Sequence, residues 1–191
     1  MNKNTKRFKD TPNRLQSWDY SAPGRYFLTI CTQNRERLFG NVENGKMHLS
    51  KYGQIVADEI QRIPEYHRRA ILNEWVVMPD HIHMIIKLGG WDYDNGISSV
   101  GETAGEIHEF HQRLNNPTEI EIKQYRKIRR KMIIFKIIGK LQMLTSKQIN
   151  IVRNTPGRRN WQRDYHDNVI RLFDDYVRIK HYINKNPENW K

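Results

Sequence analysis

The sequence predicts an α+β fold in which helices pack on an antiparallel β-sheet, and three observations predict it. Runs rich in β-branched and aromatic residues occur as short blocks at 24–32, 69–78 and 81–88, each of strand length. The second and third blocks are separated only by Pro79-Asp80, a tight turn that makes them an antiparallel pair. Helical periodicity then appears at 51–62, 120–151 and 174–186. The resulting order is strand, helix, two strands, helix, short strand, helix, as in split β-α-β arrangements.

Taken in order, residues 1–17 form a polar, basic N-terminal arm with no apolar run behind it, so they are not read as a secretory signal. Residues 18–191 are read as a single domain. Residues 45–50 suggest a short strand or hairpin arm. Ser50 is a natural N-cap for the helix from Lys51 to about Arg62, where Ile55, Val56 and Ile60 make an apolar side. From 89 to about 118 the character changes: five glycines and weak periodicity indicate an insertion. Within it His108 and His111 stand at helical spacing, as a metal pair or as two exposed histidines. The helix at 120–151, with a break expected near Gly139, places Ile134, Ile137, Ile138, Leu141, Leu144 and Thr145 on one face and Lys136, Lys140 and Lys147 on another. A turn at 154–159 leads into a short strand ending at Ile170. In the last helix, Phe173, Tyr176, Ile179 and Ile183 form the expected core face, and Tyr182 lies at its rim.

The composition narrows the partner. One cysteine, Cys31, excludes an internal disulfide framework and fits a reducing cytoplasm. No apolar run approaches membrane-spanning length. The net charge of +12 favours a polyanion. Between Ile122 and Arg163 there are thirteen Lys and Arg and no acid, so this block alone exceeds the net charge of the chain. Such a block is either a solvated helix face or a surface for nucleic-acid phosphates.

The chemistry-bearing stretch is Trp75 to Leu88. In an extended strand His81 and His83 share a face, while Ile82, Met84, Ile86 and Leu88 line the other. Two imidazoles on a supported strand can converge on one ion, although a pair of part-buried aromatics has the same pattern. The rim position of Tyr182, one helical turn before Asn186, lets a phenol reach a site in front of the sheet; an ordinary boundary tyrosine has that placement too.

Four separated blocks carry a resemblance. They are residues 18–35, Val76-Val77-Met78-Pro79-Asp80-His81-Ile82-His83, Trp161-Gln162-Arg163-Asp164-Tyr165, and Ile179-Lys180-His181-Tyr182-Ile183-Asn184-Lys185-Asn186-Pro187. In this order they resemble the single-tyrosine transposases of the HUH endonuclease superfamily, near the REP-associated tyrosine transposases. The resemblance spans the chain from about residue 15, apart from the insertion. It implies a ferredoxin-like or RRM-like HUH sheet whose C-terminal helix carries the nucleophile. It makes Tyr182 that nucleophile, His81 and His83 metal ligands, and Asn186 a third ligand for Mg2+ or Mn2+. The chain departs from the pattern in three ways, one of them an insertion from Gly89 that is longer than in compact relatives. Many relatives have Asn where Asp80 stands, leaving that residue's role open, and the third ligand is often Gln or Glu.

The implied reaction is cleavage and rejoining of single-stranded DNA, at a hairpin or repeat, through a 5′-phosphotyrosine. A phenol has an ordinary pKa of about 10 and needs activation at neutral pH. DNA contacts are expected from Arg126, Arg129, Arg130, Lys136, Lys140, Lys147, Arg158, Arg159 and Arg163, with Trp161 or Tyr165 stacking on an unpaired base. The enzyme would work in the cytoplasm at the nucleoid, as a monomer or homodimer. Two rivals remain open at this point: a non-catalytic single-stranded nucleic-acid-binding protein of the same fold, and a metal-dependent nuclease that uses water. Tyr165 beside His166 is the competing nucleophile.

Overall fold

A computed structural model describes residues 18–89, 120, 127–128 and 130–190. The arm at 1–17 and, but for Gly89, the insertion with His108 and His111 lie outside these residues. Strands β1 (Gly24–Cys31), β4 (Ala70–Met78), β5 (His81–Leu88) and β6 (His166–Ile170) form one sheet in the order β4-β5-β1-β6, every pair antiparallel. Strands β2 (Gly40–Glu43) and β3 (Lys46–Leu49) make a separate hairpin. The helices are α1 (Lys51–Gln61), the short α2 (Ile63–Tyr66), α3 (Ile133–Arg153) and α4 (Phe173–Asn184). Among the described residues no helix is long and apolar enough to cross a membrane.

The strand alternation decides what each face carries. Tyr26, Leu28 and Ile30 of β1 and Ile82, Met84, Ile86 and Leu88 of β5 are buried with Val56 and Ile60 of α1 and Ile134, Ile137, Ile138 and Leu141 of α3. Each such side chain withdrawn from water is worth about 1.5–3 kcal/mol. A smaller cluster lies on the opposite face, where Ile179 and Ile183 of α4 meet Ile85 and Ile170, with Phe27, Val76 and Tyr176 against them. The sheet is thus sandwiched, with α1 and α3 behind it and α4 in front.

A register shift in β4 between Leu72 and Trp75 lets two residues three positions apart pack against the same main core. The displaced segment contains Glu74, whose Oε1 lies 2.6 Å from Lys180 Nζ, tying α4 to the sheet. Ser50 caps α1 as expected, its Oγ accepting from the backbone N–H groups of Tyr52 and Gly53. Two expectations are corrected, for α3 and Phe173, and one short helix, α2, is added. Helix α3 runs unbroken through Gly139, because its apolar stripe continues across that turn. Helix α2 follows α1 directly, begun by Pro64 near its first position. Phe173 is 70 % exposed, since only Tyr176, Ile179 and Ile183 of the anticipated stripe reach the sheet.

Candidate active site

The antiparallel register places Cys31 opposite His81 and Thr29 opposite His83. Both imidazoles are buried on the front face, under α4. Asp80 Oδ1 lies 2.6 Å from His81 Nδ1. A carboxylate only accepts, so His81 Nδ1 carries the hydrogen and its Nε2 presents a lone pair. His83 Nδ1 lies 2.8 Å from Thr29 Oγ1, and the Tyr182 hydroxyl lies 3.2 Å from His83 Nε2. Thr29 Oγ1 and His83 Nδ1 share one hydrogen, which sits on the ring in one tautomer of His83 and on the hydroxyl in the other. The rings meet Nε2 to Nε2 at 3.1 Å, a hydrogen bond onto His81 when His83 carries its hydrogen on Nε2 and a pair of facing lone pairs when it carries it on Nδ1.

In the Nδ1–H tautomer of His83 the two lone pairs repel unless something positive lies between them. Two nitrogens bound to one ion at about 2.0–2.2 Å stand about 2.9–3.4 Å apart, so the observed separation fits a shared cation. Protonation states agree with this. Burial, the neighbouring His81 and then Arg35 push the His83 pKa down to about 3. Burial also lowers His81, outweighing the opposing hydrogen bond and charge of Asp80. Neutral imidazoles are what a metal binds. Among the described residues no group of three His, Cys, Asp or Glu is arranged around an ion. Among the described residues a third protein donor is therefore of another kind.

Tyr182 reaches this pair from the same chain and is 48 % exposed, open to a substrate in front of the sheet. Phe27 stacks on His83 with ring centroids 5.4 Å apart and meets Tyr182 edge-on at 6.2 Å. Trp190 covers His81 at 5.8 Å and in turn carries the Arg37 guanidinium at 5.6 Å. Asn186 is buried at 9 % exposure on the turn beyond α4. No contact joining its side chain to either imidazole occurs among those of the described residues. The competing Tyr165 is buried in the main core, behind the sheet.

The expected DNA contacts divide. Arg126 and Arg129 lie outside the described residues. Arg130, Lys136 and Lys147 are exposed, and the Lys140 ammonium sits 4.1 Å over the Tyr66 ring. Helix α3 is behind the sheet, so its lysines are not brought to Tyr182. Arg158 pairs with Glu36 at 3.0 Å, while Arg159 and Arg163 are exposed. The segment holding the last two runs beside the end of β1, with Gln33 N bonded to Asn160 O and Gln162 N to Cys31 O. Trp161 is corrected outright. It is 4 % exposed, packed 5.0 Å from Phe39, and donates its indole N–H to Thr145 Oγ1, so it is core and not a stacking surface. Burial removes Tyr165 from that role as well.

Thr29, Phe27, Arg35 and Trp190 escaped sequence reasoning. Only strand pairing and the return of the chain end reveal them, although the alternation of β1 marks Phe27 and Thr29 as one face.

No family model matches this chain. An uncharacterised protein of Haemophilus influenzae is 28 % identical over 178 residues, spanning 93 % of this chain and 88 % of its own. Among solved structures, a REP-associated tyrosine transposase bound to a REP hairpin is similar at 18 % identity, covering 90 % of this chain and 73 % of that one, with a TM-score of 0.49. A candidate transposase from Deinococcus radiodurans is similar at 13 % identity, covering 85 % and 90 %, with a TM-score of 0.43.

Proposed function

We propose that this chain is a transposase of the single-tyrosine HUH type, which cleaves and rejoins single-stranded DNA through a phosphotyrosine link. The observation that carries the reading is the reach of the Tyr182 hydroxyl to the facing imidazole pair, 3.2 Å from His83 Nε2. His81 and His83 would hold a divalent cation, Mg2+ or Mn2+, with Asn186 as the oxygen donor. That ion supplies positive charge against the scissile phosphate.

The residues of the chain do the rest. Tyr182 Oη forms a bond to phosphorus, and the bond from phosphorus to the 3′ oxygen breaks. The phenolic proton leaves to water, which reaches this half-exposed side chain, and the departing oxygen takes a proton from water. The 5′ phosphate stays on the tyrosine, and attack by a 3′ hydroxyl reverses the step without an external energy source. Phe27, packed against both His83 and Tyr182, restricts the phenol to the direction of attack. The exposed Arg159 and Arg163 flank the same end of the sheet and would hold backbone phosphates of hairpin-forming DNA.

Incubation with single-stranded hairpin oligonucleotides and Mn2+, followed by a denaturing gel, tests this. The wild-type chain should give a shifted protein–DNA band and Tyr182→Phe none. An undiminished band from Tyr182→Phe would refute the assignment. Cleavage without any adduct would favour a nuclease that uses water.

A further inference from the structure

Asp80 holds two partners at once. One carboxylate oxygen is 2.6 Å from His81 Nδ1, and the other is 3.5 Å from Arg35 Nη1. Its backbone is equally constrained, since the Asp80 carbonyl accepts from Thr32 N at 2.8 Å and from Thr32 Oγ1 at 3.0 Å. The side chain is buried beside a buried imidazole, where a carboxylate is costly unless each oxygen is engaged. Arg35 arrives by an unusual route. Asn34 and Arg35 both adopt φ of 55°, a left-handed conformation that non-glycine residues rarely take. Holding such residues costs on the order of 1–3 kcal/mol each and persists only where the surroundings impose it.

We infer that Asp80 is the positioning residue of the site: it fixes His81 as the Nδ1–H tautomer and so aims the Nε2 lone pair at the cation position it shares with His83. Arg35 Nη1, 3.5 Å from the far oxygen, balances the charge of the carboxylate. The inference rests on the metal reading of the imidazole pair. It assigns a purpose to Asp80, whose role the sequence alone left open. A neutral amide accepts from Nδ1–H less strongly and leaves the ring freer to rotate or switch tautomer.

Two measurements on the full chain test it. In metal-free protein at mildly alkaline pH, the ring nitrogens of His81, read by 15N NMR, should show the Nδ1–H tautomer. Asp80→Ala should shift the population toward Nε2–H. In a Mn2+ titration, Asp80→Ala should weaken binding about 10–100-fold, with Asp80→Asn between it and wild type. A chain that folds as wild type yet keeps both the His81 ring signals and the Mn2+ affinity in Asp80→Ala would overturn the positioning role alone. Failure of the wild-type chain itself to bind Mn2+ would overturn the metal reading and this inference together.

Discussion

His83 is the residue on which the site turns, and its environment predicts a pH dependence. Its folded pKa of about 3 lies far below the ordinary 6.5 because burial disfavours the imidazolium. Between those values the unfolded chain binds a proton that the folded chain refuses. The stability held by the neutral ring is therefore complete above pH 6.5 and is lost as pH falls toward 3. His81 shifts in the same direction. In the presence of a chelator, the urea midpoint should fall through this window, with His83 contributing up to about 1.4 kcal/mol per pH unit. His83→Gln should flatten the fall. A midpoint independent of pH across the window in the wild-type chain would show that the ring is solvated.

At the scale of elements, two helical glycines look alike in sequence and behave oppositely in the fold. A Cβ on Gly53 of α1 would stand 2.1 Å from the Phe39 carbonyl oxygen, so the helix and the chain entering the hairpin are in backbone contact there. A Cβ on Gly139 of α3 meets nothing within 4 Å. Ala ordinarily gains about 0.5–1 kcal/mol over Gly inside a helix. Gly139→Ala should show that gain in a denaturant titration. Gly53→Ala should instead lose about 1–3 kcal/mol, because the clash is with backbone and cannot be relieved by a rotamer change. Equal signs for the two would mean that α1 is less closely seated than described.

Across the whole molecule, the basic stripe and the tyrosine lie on opposite sides of the sheet. Lys136, Lys140 and Lys147 belong to α3 behind it, whereas α4 and Tyr182 lie in front. If DNA is the substrate, the two surfaces serve different stretches of it. Replacing Lys136 and Lys147 with Ala should weaken binding of a long hairpin substrate. The slope of log affinity against log salt should also fall, by about one for each phosphate no longer neutralised. Adduct formation on a short oligonucleotide that spans only the cleavage position should keep its rate. A parallel loss on both substrates would place the lysines at the cleavage site, contrary to this geometry.

The sequence by itself determined what is local and periodic. Alternation in β5 separated the imidazoles from Ile82, Met84 and Ile86. Ser50 marked the start of α1, and the apolar stripe of α3 marked its inward face. These are legible because side-chain direction along a strand or helix follows from position in the chain. Only the tertiary structure decided which elements became neighbours. It set Thr29 against His83, brought Trp190 back over His81, buried Trp161 against Phe39, and left Phe173 in solvent. Each depends on strand register or on the seating of a helix against a sheet, and contacts between residues far apart in the chain leave no period for a sequence to display.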